Sequence, residues 1–149
     1  MSGITADGIE IDRDIAAAPA AVFAAWTEPA HFARWFGTAA VDVPRESLDY
    51  VAEPGRAWAA RMMLPDGNAI DWAGEFLEVA TAERLVLTIS DRPDEGARAR
   101  IVVTIEPSAD GARRRFSQET PGVTPEQQQG VLAGWQGFMD ELVRIAEAR

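Results

Sequence analysis

Two kinds of hydrophobic periodicity follow one another at the start of the chain. Residues 9–15 alternate apolar and charged side chains with a period of two, which predicts a half-buried strand. Over residues 17–36, apolar side chains recur at three- and four-residue spacing, and Pro19 and Pro29 each stand where a helix can begin. Gly37 fits the end of the second run. These residues predict one strand followed by two short helices.

The middle of the chain consists of short β-rich runs separated by turn residues. The segments 65–68 and 109–111 carry the Pro, Asp, Gly and Asn residues that tight turns require. Connections this short join antiparallel strands, because parallel strands need long crossovers. We predict six strands here, near residues 46–52, 56–64, 69–79, 84–90, 98–106 and 113–120.

The last part of the chain returns to a helical period. Thr124 can cap a helix, Pro125 fits its first turn, and Gln127 lies at the spacing of a capping box. The apolar side chains that follow share one broad arc, so we predict a helix from 125 to 148, long enough to cross a sheet. The order β-α-α-β6-α predicts an α+β helix-grip fold, in which a curved antiparallel sheet of about seven strands surrounds the C-terminal helix.

Composition and charge narrow the classes of function. A length of 149 residues predicts one domain over 1–149. The chain has no cysteine and one histidine, which excludes thiol nucleophiles and zinc sites built from thiolates or several imidazoles. We therefore expect neither a metal nor a cofactor. The net charge of −10 disfavours nucleic acid as a partner.

Hydropathy bears on localisation and assembly. No apolar run approaches the length of a membrane span, and the first residues do not resemble a secretory signal. We expect a cytoplasmic protein that does not insert into membranes, as a monomer or a homodimer.

Four segments carry a resemblance to a known family. They are the run APAAVFAAWTEPAHFARWF at 18–36, LPDG at 64–67, GEFLEV at 74–79 with ERL at 83–85, and GW at 134–135 followed by Leu142. Together they resemble the SRPBCC (START-like) superfamily, and in particular the family named for the activator of heat-shock protein 90 ATPase homologues. The resemblance covers nearly the whole chain and implies the same helix-grip fold.

The resemblance also implies a concave space between the sheet and the last helix. We expect a binding protein rather than an enzyme, with a small hydrophobic or aromatic ligand in this space and no catalytic residue. An alternative stays open in which the aromatic side chains only fill the core. The predicted walls, with Arg13 or Arg114 orienting a polar end of the ligand, are Arg13, Val22, Phe23, Trp26, Trp58, Trp72, Phe76, Arg114, Phe116, Trp135, Phe138, Met139 and Leu142.

Two arginines have the parity of inward-facing residues. Arg114 shares a strand face with Phe116 and Gln118, where related sequences usually place apolar residues. We favour a position near the mouth of the space, from which the guanidinium reaches water. Arg13 shares its face with three isoleucines, and a structural ion pair with a carboxylate is the favoured interpretation.

Two further functions remain as alternatives. The family name implies a stress-related interaction protein that modulates a chaperone. A cofactor-free cyclase, dehydratase or hydrolase would need a buried acid or base, for which Asp71 and Glu75 are weak candidates because a solvated strand face explains them better. His31 has a structural explanation within its helical turn.

Three glycines form a stripe along the predicted last helix. Gly130, Gly134 and Gly137 each cost helix stability relative to alanine, by up to about 1 kcal/mol. Two explanations stay open. One is the close approach of a strand or loop, and the other is a thinned helix wall that leaves room for a ligand.

Overall fold

The protein forms one antiparallel sheet with three helices packed on one of its faces. A computed structural model describes residues 3–4, 8–37, 43–44, 46, 48–90, 99–119 and 124–147. Its elements in chain order are β1 (Gly3–Ile4), β2 (Gly8–Ile15), α1 (Pro19–Thr27), α2 (Pro29–Gly37), β3 (Ala57–Met63), β4 (Ala69–Ala80), β5 (Arg84–Ile89), β6 (Ala99–Ser108), β7 (Gly111–Glu119) and α3 (Pro125–Glu147).

The sheet topology confirms the helix-grip fold. The strand order is β1-β2-β7-β6-β5-β4-β3, and every neighbouring pair is antiparallel. The early strand β2 pairs with the late strand β7, so the sheet is built from both ends of the chain. The helix α3 follows β7 and returns across the sheet, where it contacts β2 and both short helices.

Local sequence explains where the helices begin. Pro19 and Pro29 open α1 and α2, since proline lacks only an amide that the first turn leaves unbonded anyway. At α3 the Gln127 amide donates to the Thr124 hydroxyl at 3.2 Å, and the Thr124 amide donates to the Gln127 side chain at 3.0 Å. This is the predicted capping box.

One predicted strand is absent, and a short one was missed. The described residues of the run predicted near 46–52 make only an isolated bridge, between Asp49 and Ala59. The run turns inward instead, because Tyr50 stacks on Phe32 with 4.0 Å between ring centroids. The strand β1 escaped prediction because two residues show no period. Four positions of the predicted elements lie outside the described residues. They are 47 in the first predicted strand of the middle region, the strand ends at 98 and 120, and the helix end at 148.

Alternation along the strands gives the sheet an inner and an outer face. Ile9, Ile11 and Ile15 of β2 are buried under the helices, whereas Glu10 and Asp14 are exposed. We call the helix-covered side the inner face. Within the described parts of the chain, no helix is long and apolar enough to cross a membrane.

Candidate ligand site

The predicted apolar wall residues all lie between the sheet and the helices. Nine of them belong to one core cluster, and Trp72 and Phe138 are partly buried against it. The nine core members are Val22, Phe23, Trp26, Trp58, Phe76, Phe116, Trp135, Met139 and Leu142. The fold therefore brings the predicted set together.

Stacked rings connect the short helices, β7 and α3. The rings of Trp26 and Phe116 stack with 6.0 Å between centroids, and Phe116 lies 4.6 Å from Trp135. Trp35 packs edge-on against Trp26 at 4.8 Å. One pair is stacked, one is tilted and one is edge-on. We call these four residues, Trp26, Trp35, Phe116 and Trp135, the aromatic layer of the inner face.

Arg114 lies at the edge of this aromatic layer and is completely enclosed. Its exposed fraction is 0%, so the expectation that it reaches water near a mouth was wrong. The reason is its place on β7, since this strand lies inside the sheet between β2 and β6. Its guanidinium carbon lies 5.9 Å from the centroid of the Phe116 ring, within the range of a cation–π contact.

The Arg114 guanidinium has no hydrogen-bond acceptor in the part of the chain that the structure describes. Among the described residues, none accepts a hydrogen bond from its Nε, Nη1 or Nη2 atom. Burial and, to a smaller extent, the positive charge of Arg13 lower the pKa of Arg114 to about 9, with Asp12 partly opposing the shift. The side chain thus still carries its charge at neutral pH, in surroundings that do not compensate it.

Arg13 stands directly opposite Arg114 in the β2–β7 register and has a partner. Its Nη2 atom lies 2.9 Å from Oδ1 of Asp140 on α3. This is the structural ion pair expected for Arg13. It joins the sheet to the last helix at a half-open position, with the side chain of Arg13 29% exposed and that of Asp140 58% exposed.

Three more buried polar atoms lack hydrogen-bond partners among the described residues. They are the indole Nε1 atoms of Trp26 and Trp72 and the Oε1 atom of Gln118. Most buried polar groups in proteins are bonded, and each exception requires an explanation. Trp26 and Gln118 flank the same Phe116 that Arg114 contacts, by ring stacking and by strand parity respectively.

The candidate acids and the histidine lie elsewhere. Asp71 is on the outer face and pairs with Arg61 at 2.8 Å, while Trp72 and Phe76 occupy the inner face of β4. Glu75 shares the outer face with Asp71. His31 lies 3.9 Å from Glu28 one turn earlier in the helical region. The described inner-face positions of the strands carry no carboxylate, and the described residues contain no cluster able to hold a metal.

The glycine stripe of α3 points away from the sheet. A Cβ atom built on Gly130, Gly134 or Gly137 would meet no described atom within 4 Å, and all three positions are exposed. Neither close approach nor a thinned wall beside a ligand explains them, so both expectations were wrong. Nothing in the described structure accounts for glycine at these positions.

Two residues near the candidate site escaped the sequence analysis. The Tyr50 hydroxyl donates to the Trp26 carbonyl at 2.6 Å, which links the segment before β3 to α1. Asp140 is an exposed residue of α3 that directly follows the buried Met139. Neither residue carried a periodic signal, because both interact with residues distant in the chain.

A depression lies on the outer face of the sheet. Its volume is about 160 Å³, and it is lined by Glu10, Asp12, Val102, Thr104, Arg115, Phe116 and Ser117. Its lining is mostly acidic, basic and hydroxyl side chains, which suit water better than an apolar ligand.

The fold is similar to those of several solved structures. A protein from Chromobacterium violaceum superposes with a TM-score of 0.82 at 23% identity, covering 95% of this chain and 98% of that one. An AHSA1-like protein from Aeromonas hydrophila gives a TM-score of 0.76 at 27% identity, covering 94% of this chain and 92% of that one. The AHSA1 protein from Silicibacter pomeroyi gives 0.79 at 23% identity, covering 91% and 94%.

The family of the chain follows from its sequence. No curated protein matches the sequence. The model described as activator of Hsp90 ATPase homolog 1-like protein matches residues 16–147, which span α1 through α3. The chain therefore belongs to the family of activator of Hsp90 ATPase homolog 1-like proteins.

Proposed function

We propose that the protein binds a small hydrophobic or aromatic molecule between the inner face of the sheet and α3. One observation carries the proposal, namely that among the described residues the Arg114 guanidinium, Trp26 Nε1 and Gln118 Oε1 are buried near Phe116 without hydrogen-bond partners, in an otherwise apolar interior. Unbonded groups of this kind cost stability in the empty protein and gain partners when a ligand brings them.

The aromatic layer supports an apolar ligand. The side chains of Trp26, Phe116 and Trp135 would give a planar molecule aromatic contacts once it had displaced part of their present packing. The polar atoms around Phe116 have almost no contact with solvent, so a ligand must enter by repacking of side chains or by movement of α3. Arg13 and Asp140 form the polar link between β2 and α3 that such a movement would open.

A neutral fluorescent probe tests the proposal without invoking charge. Phenylnaphthylamine should bind saturably, with one site per chain, and should quench tryptophan emission by energy transfer. Phe138→Ala should weaken this binding several-fold, because Phe138 lies only partly buried on α3 beside Trp135. Leu77→Ala is the matched control, since Leu77 is 42% exposed on the sheet.

The outcome that contradicts the proposal is equally plain. Phenylnaphthylamine that fails to saturate, or that binds Phe138→Ala and wild type alike, would assign the aromatic layer to core packing alone.

The family description favours a second, weaker proposal, a role in modulating a chaperone. A pull-down with the Hsp90 of the same organism tests it. Retained chaperone, released by phenylnaphthylamine, would connect the two proposals, and absence of retention would dismiss the second.

A further inference from the structure

We propose that the ligand carries a single negative charge on a planar carboxylate, and that Arg114 is the residue that binds it. The inference rests on the proposed function, because it names the chemical class of molecule that the same site takes. The enclosed Arg114 guanidinium would form an ion pair with the carboxylate of the bound ligand.

The balance of charges around Arg114 indicates that the ligand is negatively charged and carries a single charge. Arg13 and Arg114 oppose each other across β2 and β7, and Asp140 bonds Arg13. Asp12 lies on the outer face of β2, accepts no hydrogen bond from the Arg114 guanidinium, and only partly offsets the effects of burial and Arg13. Among the described residues, two cations and one bonded carboxylate leave one positive charge without a hydrogen-bonded counterion, which a monoanion would supply. A dianion would leave a buried negative charge in its place.

Hydrogen-bonding capacity gives the shape of the charged group. The guanidinium offers a planar fork of N–H donors, which matches the two oxygens of a carboxylate. The Trp26 indole N–H is a further donor beside Phe116 and also lacks an acceptor among the described residues. Donors therefore outnumber acceptors around Phe116, as a carboxylate requires.

The aromatic layer gives the body of the ligand. Arg114 lies 5.9 Å from the Phe116 ring, and that ring stacks on Trp26. A molecule whose carboxylate reaches Arg114 thus places its remaining atoms along these rings. A small aromatic carboxylate fits both parts of the site.

Naphthoate and naphthamide form a matched pair of probes for this inference. They share size and shape and differ in charge, and each is measured by displacement of bound phenylnaphthylamine. Wild type should bind naphthoate at least about tenfold more tightly than naphthamide, as expected for a charge-assisted hydrogen bond.

Three variants locate the preference. Arg114→Met should abolish the preference for naphthoate while it retains naphthamide binding. Arg113→Met is the matched control, because Arg113 is an exposed neighbour on β7, and it should behave as wild type. Asp140→Asn should strengthen naphthoate binding several-fold and increase the preference for naphthoate over naphthamide, since it removes the negative charge beside Arg13. Asp140 is largely exposed, so this variant keeps the test valid even if Arg114→Met folds poorly.

The outcomes separate this inference from the proposed function. If phenylnaphthylamine does not bind wild type, the proposed function fails and the inference fails with it. If the probe binds but naphthoate displaces it no better than naphthamide, only the inference is overturned. It is also overturned if Arg114→Met keeps the preference for naphthoate, or if Asp140→Asn leaves naphthoate binding unchanged.

Discussion

Arg13 and Arg114 face each other across β2 and β7, yet Asp140 bonds only Arg13. The two side chains show how one strand register produces two different roles. Arg13 pairs at the border of the interior and joins the sheet to α3, whereas Arg114 keeps a charge with no acceptor among the described residues. Such a charge lowers stability in the empty protein.

The cost of this charge predicts that Arg114→Met stabilises the protein in the absence of ligand. Apolar residues of similar volume that replace buried charged groups have raised stability by about 1–4 kcal/mol elsewhere. The free energy of unfolding from urea titration checks this, with Arg113→Met expected within about 0.5 kcal/mol of wild type. A loss of stability in Arg114→Met would mean that the folded protein compensates the guanidinium after all.

Two glycine substitutions should change stability in opposite directions. Gly134→Ala should raise the free energy of unfolding by up to about 1 kcal/mol, since its Cβ meets no described atom and alanine favours helix. At Gly74 a Cβ would lie 1.8 Å from the Thr88 carbonyl oxygen and 2.5 Å from Nε1 of Trp58. Gly74→Ala should therefore cost about 3 kcal/mol, because it also breaks the 2.9 Å hydrogen bond from Trp58 to Thr88.

Thermal denaturation of both glycine variants measures these changes. Equal effects would show that the α3 stripe and the inner face of β4 do not differ in available space.

Tyr50 predicts a specific loss of stability in alkaline solution. Burial raises the pKa of the Tyr50 hydroxyl well above its ordinary value of 10.0. The unfolded chain therefore releases this proton from pH about 10 upward while the folded chain retains it, so stability falls as pH rises through that range. Below that pH the contribution of Tyr50 is fully present.

Tyr50→Phe isolates this effect, because all other groups titrate alike in the two proteins. The variant should lose about 1 kcal/mol at neutral pH with the hydrogen bond to Trp26, and the gap to wild type should narrow as pH rises above about 10. Tyr50 is the only tyrosine, so tyrosinate absorbance reports it directly and should appear only on unfolding. Tyrosinate formation in the folded protein would contradict the prediction.

The sequence contains most of the fold and part of the site. Alternation in residues 9–15 and the helical period after Thr124 identify β2 and α3 because one face of each meets the core. Parity places Arg114 on the same strand face as Phe116, but it does not reveal that this face lies under the helices or that β7 lies inside the sheet, and both decide the burial. The roles of Asp140 and Tyr50 depend on contacts between distant segments, which local patterns do not contain.

The most direct test of a ligand site on the inner face is the crystal structure of the protein with bound naphthoate. We expect the naphthalene ring to lie against Phe116 and Trp26, with the carboxylate accepting hydrogen bonds from the Arg114 guanidinium. Naphthoate bound instead in the outer depression beside Thr104 and Arg115, with the Arg114 side chain still enclosed and unbonded, would contradict it.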